Sequence, residues 1–279
     1  NGGASWQKQS LGTQIIGGLS AFFVDAQKGW VVGALADSML ITLDGGNTWK
    51  RKKCFSIFES FFSIFFRSST VGWMVGSGGN IKYTINGANS WQDQNSGTNN
   101  YLYSTHFVSN QIGWAVGEFG TILKTTNAGS NWIPQNSNTT SRLTSIYFSD
   151  ALNGWAVGLN GTILKTVDGG SIWTNQNSGS SQNLISLHFS NDQNGYSVGA
   201  AGSIIKTSNG GTTWLDKTIG TKRNLVSVDF VNSKTGWAVG DAGVILKTNN
   251  SGSTWQAQNS GTSTYFLSVC FWDTLTGWV

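Results

Sequence analysis

The sequence predicts an all-β chain, a seven-bladed β-propeller with four antiparallel strands per blade of about 41 residues. Three observations carry this reading. The dipeptide Gly-Trp recurs at Trp30, Trp73, Trp114, Trp155, Trp237 and Trp278, with Gly195-Tyr196 in the one vacancy, at spacings of 43 and then 41 throughout. A second tryptophan closes stretches such as Asp44-Gly-Gly-Asn-Thr-Trp49 and recurs at Trp6, Trp49, Trp91, Trp132, Trp173, Trp214 and Trp255, spaced 43, 42 and then 41. Between these markers lie short β-rich runs divided by Gly, Asn and Asp turns, and no segment shows a sustained helical period.

One repeat, from residue 143 to 183, shows each element in order. Leu143-Thr-Ser-Ile-Tyr-Phe148 alternates as a first strand, and Asp150 to Gly154 turns the chain. Trp155-Ala-Val-Gly158 is a second strand, and Leu159-Asn-Gly161 leads into a third, Thr162-Ile-Leu-Lys-Thr166. A hairpin at Asp168-Gly-Gly170 feeds a fourth from Trp173, and Asn177-Ser-Gly179 connects to the next repeat.

The whole chain, 1–279, reads as a single propeller domain. Residues 14–265 supply six complete blades; residues 1–13 end a split blade and residues 266–279 start it, so both termini share the seventh. That blade either lacks its third strand or receives it from sequence outside this segment. A longer chain with eight blades is the alternative. An open edge between first and last blades would invite pairing with other chains, so closure through Trp6 and Trp278 is expected.

Composition narrows the function. Charged residues make up 11% of the chain, against about 25% in ordinary globular proteins. A formal charge of +4 is thin over this length and argues for no nucleic-acid partner. No apolar run approaches the roughly 20 residues of a membrane helix. Cys54 and Cys270 are too few for a disulfide scaffold or a cysteine zinc site. Low charge with many Asn and Ser leans toward an extracytoplasmic location. The sequons Asn138-Thr-Thr140, Asn160-Gly-Thr162 and Asn249-Asn-Ser251 permit glycosylation in a secretory eukaryote.

The third-to-fourth hairpins follow Ser/Thr-x-Asp-x-Gly-x-Thr-Trp. Thr42-Leu-Asp44-Gly-Gly46-Asn-Thr48-Trp49 fits in full, and Thr166-Val-Asp168-Gly-Gly170-Ser-Ile-Trp173 departs once. Thr84 to Trp91, Thr125 to Trp132, Thr207 to Trp214 and Thr248 to Trp255 carry Asn in place of Asp, and the first of these also has Ala88 for Gly. These stretches resemble the Asp-box (BNR) repeats of sialidase-like propellers. Together with Gly-Trp-Ala-Val-Gly and Gly-Thr-Ile-Leu-Lys-Thr, as at 113–125, the chain is most similar to the photosystem II stability/assembly factor family. The resemblance implies a partner that is an unassembled membrane-protein segment at a thylakoid lumenal surface. That family presents an arginine-rich patch, whereas this chain has only Arg51, Arg67, Arg142 and Arg223.

The boxes also have a structural reason. An Asp or Asn side chain accepting from backbone N–H groups two residues on locks a turn. The tryptophan is expected to bury its ring against the neighbouring blade. Thirteen of the 14 tryptophans occupy the two repeat positions, and Trp272 alone stands off-pattern as a sugar-stacking candidate.

Catalysis finds little support. The four arginines lie at four different repeat phases, and a sialidase needs three converging on a carboxylate. The loop carboxylates Asp37, Glu59, Glu118 and Asp241 show no paired arrangement of the glycosidase kind. No phosphate loop, nucleophile elbow or zinc-protease motif occurs. The expectation is no enzyme, no cofactor and no metal.

Two groups of residues stand out as sites. The slot before the Phe that closes each first strand holds Phe22, Phe65, His106, Tyr147, His188, Asp229 and Cys270, so His106, Tyr147, His188 and Asp229 are expected to line a central channel. Two residues earlier every repeat has Ser, from Ser20 to Ser268, expected to permit close blade approach. The second group breaks the repeat. After Trp49, where other units run polar, come Lys50, Arg51, Lys52 and Lys53, then Cys54, Phe55, Ile57, Phe58 and Glu59. Clustered cations beside apolar groups mark a partner-binding patch; a solvated outer strand with a repacked loop is the plainer account. The main reading is a non-enzymatic binding or scaffold propeller presenting loop faces to a protein or glycan partner. The alternatives are a photosystem II assembly-type chaperone for a membrane-protein segment and a sialidase-like glycoside hydrolase.

Overall fold

The computed structural model describes residues 1–9, 18–33, 37–54 and 59–279. They form six four-stranded antiparallel sheets and one two-stranded sheet. The expected seventh blade is therefore corrected: there are six blades, and in its place only β25 (Cys270–Phe271) pairs with β26 (Gly277–Trp278). The reason lies in the N-terminal residues, which spend their backbone on turns. Asn1 and Gly2 donate to Leu275 O at 2.6 and 2.9 Å, Ala4 folds back on Asn1, and Trp6 meets Phe271 edge-on at 5.9 Å. No strand forms among the described residues 1–9.

The chain makes two compact units. Lys8–Asn136 holds three blades. Blade 1 is β1 (Gly18–Phe23), β2 (Gly29–Gly33), β3 (Ser38–Thr42) and β4 (Lys50–Lys53). Blade 2 is β5 (Phe61–Phe66), β6 (Gly72–Gly76), β7 (Ile81–Thr84) and β8 (Gln92–Gln94). Blade 3 is β9 (Leu102–Phe107), β10 (Gly113–Gly117), β11 (Ile122–Thr125) and β12 (Ile133–Gln135).

Asn1–Gln7 with Ser137–Val279 holds the other three and the two-stranded sheet. Blade 4 is β13 (Leu143–Phe148), β14 (Gly154–Gly158), β15 (Ile163–Thr166) and β16 (Thr174–Gln176). Blade 5 is β17 (Leu184–Phe189), β18 (Gly195–Gly199), β19 (Ile204–Thr207) and β20 (Leu215–Asp216). Blade 6 is β21 (Leu225–Phe230), β22 (Gly236–Gly240), β23 (Ile245–Thr248) and β24 (Gln256–Gln258).

Each core is an aromatic sandwich built on the period. The Gly-Trp ring of one blade stacks face to face on the Phe closing the first strand of the next: Trp30 on Phe66 at 3.6 Å, Trp155 on Phe189 at 3.9 Å, Trp237 on Phe271 at 3.4 Å. The box tryptophan meets the Phe of its own blade edge-on, as Trp132 does Phe107 at 5.9 Å and 88°. Face and edge contacts suit the ring quadrupole. The blade-to-blade ring is thus the Gly-Trp one, and the box ring seals its own blade. A lysine of the third strand lies over the same ring from the cross-strand position, for example Lys165 over Trp155 at 5.7 Å and Lys247 over Trp237 at 5.2 Å.

The serine slot does more than leave room. Ser145 Oγ accepts from Leu187 N at 3.2 Å, Ser186 Oγ from Val228 N at 3.2 Å, and Ser227 Oγ from Val269 N at 3.1 Å. Each hydroxyl clasps the first strand of the next blade. Small size was legible in sequence; the hydrogen bond was not.

Candidate functional site

The Asp-box hairpins close the third strand of each blade onto its fourth through side-chain hydrogen bonds. In blade 1, Asp44 Oδ1 accepts from Thr42 Oγ1 at 2.8 Å and from Thr48 N at 2.9 Å, while Asp44 Oδ2 accepts from Thr48 Oγ1 at 2.5 Å. Gly46 N in turn donates to Thr42 Oγ1 at 2.8 Å. The carboxylate therefore reaches four residues on rather than two. Asn127 does the same in blade 3, accepting from Asn131 N at 2.9 Å. The Thr48 donors, with Thr42, hold the Asp44 carboxyl below its usual range. These carboxylates are consumed by their turns.

The four cations of the repeat-breaking stretch form β4, the outer strand of blade 1, with Lys50, Arg51 and Lys53 exposed. Strand alternation splits them into two pairs. Arg51 and Lys53 turn to Asp37: Arg51 Nη2 lies 2.6 Å from Asp37 Oδ1, and Lys53 Nζ lies 3.4 Å from Asp37 Oδ2. Ser38 and the Arg51 guanidinium hold the Asp37 carboxyl down at about 2, so it stays charged. Lys50 and Lys52 are the other pair. Lys52 Nζ reaches across to Asn89 Oδ1 in blade 2 at 3.2 Å. Lys28 follows on the same side, with its Nζ 2.7 Å from Ser69 O and 5.2 Å from the centre of the Trp30 ring.

Between β4 and the box hairpin of blade 2 opens a cleft of about 560 Å³, lined by Lys28, Lys50, Lys52, Ile41, Leu43 and Asn89 among others, with Arg51 also at its wall. Asp44 is the one carboxylate on its wall among the described residues, and its oxygens are taken up by Thr42 and Thr48. The cleft is a positively charged recess with Ile41 and Leu43 among its lining. Phe55, Ile57 and Phe58, expected to share this patch, lie outside the described residues. Cys54 packs on the core shared by blades 1 and 2, and burial pushes its thiol up to about 11. It is a packing residue, not a nucleophile.

The other expected groups fall as follows. His188 Nδ1 lies 3.1 Å from Asp229 Oδ1, and the Tyr147 and His188 rings are 5.5 Å apart. Asp229 Oδ2 also accepts from Phe271 N at 2.7 Å. His106 lies in the other unit, its ring 5.0 Å from Phe65. Among the described residues no three His, Cys, Asp or Glu side chains converge as a metal set would. Asp37 pairs with Arg51, Glu59 with Lys82 at 3.1 Å, and Glu118 with the Tyr103 hydroxyl at 3.2 Å, so each of these loop carboxylates is held by its own neighbours. Trp272 is half exposed. Lys28 was missed in sequence because it sits in an ordinary turn, and only the fold brings it beside β4.

Four-stranded antiparallel blades pinned by Asp-box hairpins define a β-propeller of the Asp-box repeat class. A family model described as photosynthesis system II assembly factor YCF48 matches residues 55–137 and 177–263, more than half of the chain, and the protein belongs to that family. No curated protein sequence matches. Among solved structures, one described as YCF48 bound to D1 peptide is 22% identical, with a TM-score of 0.77 over 94% of this chain and 87% of that one. YCF48 from Cyanidioschyzon merolae is 18% identical, with a TM-score of 0.71 over 93% and 90%. Virginiamycin B lyase from Staphylococcus aureus is 15% identical, with a TM-score of 0.82 over 95% and 92%. At these identities the likenesses establish the propeller fold, and the lyase brings no chemistry with it.

Proposed function

We propose that the protein is an assembly factor that captures a segment of an unassembled partner protein, without catalysing a reaction, in the cleft beside β4. The observation that carries this is the cleft itself, where Lys28, Lys50 and Lys52 converge at the place the repeat is broken. Family membership supports the role, and a solved YCF48 is bound to D1 peptide. A protein segment is favoured over a glycan because the Gly-Trp rings are buried between blades, as Trp30, Trp155 and Trp237 are, and the half-exposed Trp272 is not among the residues lining the cleft. The low charge and the Asn- and Ser-rich surface fit an extracytoplasmic location.

The test is binding of D1 peptide by fluorescence anisotropy across a salt series. Binding is expected to weaken with salt, since clustered cations attract a partner at long range. Lys50→Gln with Lys52→Gln should weaken capture and flatten the salt dependence. Arg51→Gln with Lys53→Gln should weaken it less, because both of those side chains are already engaged by the Asp37 carboxylate. Folding should change by only about 0–1 kcal/mol per exposed charge. Equal capture by wild type and the Lys50/Lys52 variant would remove the cleft from the function.

A further inference from the structure

The edge of β4 carries information that its side chains alone do not. In blade 1 the strand order is β1-β2-β3-β4, so β4 is the outer edge, with nothing paired beyond it among the described residues. Its register on β3 runs Ser38↔Lys53 to Ile41↔Lys50. Cys54 N donates to Asp37 O at 2.9 Å, continuing that ladder. Antiparallel strands point the N–H and C=O of alternate residues to the same side. Counting back from Cys54, the backbones of Lys52 and Lys50 face β3. Those of Arg51 and Lys53 open outward.

Every fourth strand of the molecule is such an edge, yet this one differs twice. It is four residues long, while β8, β12, β16, β20 and β24 have two or three. It is also the only one of the six to carry lysine or arginine; the others read Gln-Asp-Gln, Ile-Pro-Gln, Thr-Asn-Gln, Leu-Asp and Gln-Ala-Gln. Lysine on an edge can serve as a guard against strand pairing. Five edges of the same molecule do without that guard. The charge on β4 therefore calls for a cause of its own.

We infer that the outer edge of β4 takes an acidic segment of the partner as an added strand, its main chain bonding Arg51 and Lys53 and its alternate carboxylates meeting Lys50 and Lys52. Charge complementarity selects the occupant. Lys50 and Lys52, the cations with no carboxylate partner among the described residues, stand two residues apart on one face, which is the spacing of alternate side chains on an extended chain. An added strand that bonds through main chain and is selected by alternate side chains is an established mode of peptide recognition. The cleft wall opposite, with Asn86 and Asn89 of blade 2, offers polar contacts to the same carboxylate-bearing face. This inference rests on the partner-capturing role proposed above and specifies how the segment is held.

The experiment uses the full chain and three short synthetic peptides with blocked termini. One alternates Glu with Thr, one has the same composition with its Glu in a block, and one repeats the alternating sequence with alternate amides N-methylated. The alternating peptide should bind. Blocking the charges or methylating the amides should each weaken binding about tenfold or more, as the loss of main-chain hydrogen bonds or charge pairing does. Arg51→Pro removes an outward N–H while sparing the β3 ladder, and should weaken the alternating peptide to the same degree beyond any loss in Arg51→Gln, which controls for the lost Asp37 pair. Thermal unfolding checks that this variant folds; if it does not, the N-methylated peptide decides. Equal binding of parent and N-methylated peptides, both lost on Lys50→Gln with Lys52→Gln, would overturn strand addition and leave the capture role standing. Failure of the alternating peptide to bind while D1 peptide binds would also overturn it. If neither peptide responds to the lysine substitutions, the capture role fails with it.

Discussion

Truncating the blade-to-blade ring at Trp155 should cost a large part of the stability of its unit, and the molecule contains the control. Trp155 is 1% exposed, stacks on Phe189 of the next blade at 3.9 Å and 21°, and donates from Nε1 to Gly210 O at 3.0 Å. Trp155→Ala empties that site, and deletion of a buried tryptophan costs about 4 kcal/mol. The stack itself accounts for about 1 kcal/mol of this. Blade 5 shows what a smaller ring does there. Tyr196 is fully buried and stacks on Phe230 at 3.8 Å and 12°, beneath Lys206 at 5.7 Å. Trp155→Tyr copies that arrangement, keeps the stack and gives up the indole bond, so its cost should be about 1–2 kcal/mol. Urea unfolding followed by circular dichroism measures both, with linear extrapolation to water. A loss below about 1 kcal/mol for Trp155→Ala would refute the view that the stacked rings hold adjacent blades together. So would a Trp155→Tyr variant as damaged as the alanine one.

Two further outcomes follow from the turns. Gly158→Ala should destabilise by about 2 kcal/mol or more, because a Cβ there would lie 2.1 Å from Arg142 O in a backbone that cannot retreat. Gly179→Ala, at φ +67° with open space around it, should cost only about 1 kcal/mol in thermal unfolding, the price of left-handed backbone alone. The box carboxylates set an acid limb. Thr48 and Thr42 donors lower the Asp44 pKa, and the Ile172 N–H and Thr166 hydroxyl lower that of Asp168. A depressed carboxyl stabilises the fold above its unfolded pKa of about 3.9 and loses that contribution as pH falls through the folded value. Asp44→Asn with Asp168→Asn should therefore flatten the decline of melting temperature below about pH 4. Asn127, Asn209 and Asn250 already accept the same bonds without titrating. An unchanged acid limb would place the titration elsewhere.

The fold was legible in sequence because a propeller repeats its packing demands. Two tryptophans per period, a glycine before one and a threonine-capped turn before the other state the same strands and the same stack in each repeat. Blade number was harder, because the period says where a strand belongs and not what a terminal segment does there. Asn1 and Gly2 bond the turn at Leu275 instead of extending beside β26. The candidate site was half legible. Lys50–Lys53 stood out as a break in pattern, but the division into a pair engaged by a carboxylate and a pair with none depends on Asp37, which belongs to another strand connection. The serine clasps and the lysine-over-tryptophan contacts recur from blade to blade, yet they join residues 42 and 10 apart in sequence and give no local sign.

The break at blades 1 and 2 is larger than the basic stretch, and its parts compensate one another. In the third strand the slot facing the core holds Leu40, Leu123, Leu164, Ile205 and Leu246, but in blade 2 it holds Lys82, only 7% exposed. Burial opposes its charge, but Asp93 Oδ1 at 2.5 Å and Glu59 Oε1 at 3.1 Å outweigh that and raise its pKa. Glu59 stands at the end of the same repeat-breaking stretch, so Lys82 ties that end to blade 2. At the other end Asp37 ties Arg51 and Lys53 to blade 1. A buried or clustered charge needs such a partner to persist in a fold. Applied in turn to each cation of the region, the requirement is met for Lys82, Arg51 and Lys53 by carboxylates. For Lys52 it is met only by the Asn89 amide oxygen, and for Lys50 by no carboxylate among the described residues. Charge that no carboxylate among the described residues answers, placed along an open strand edge, is charge available to a partner.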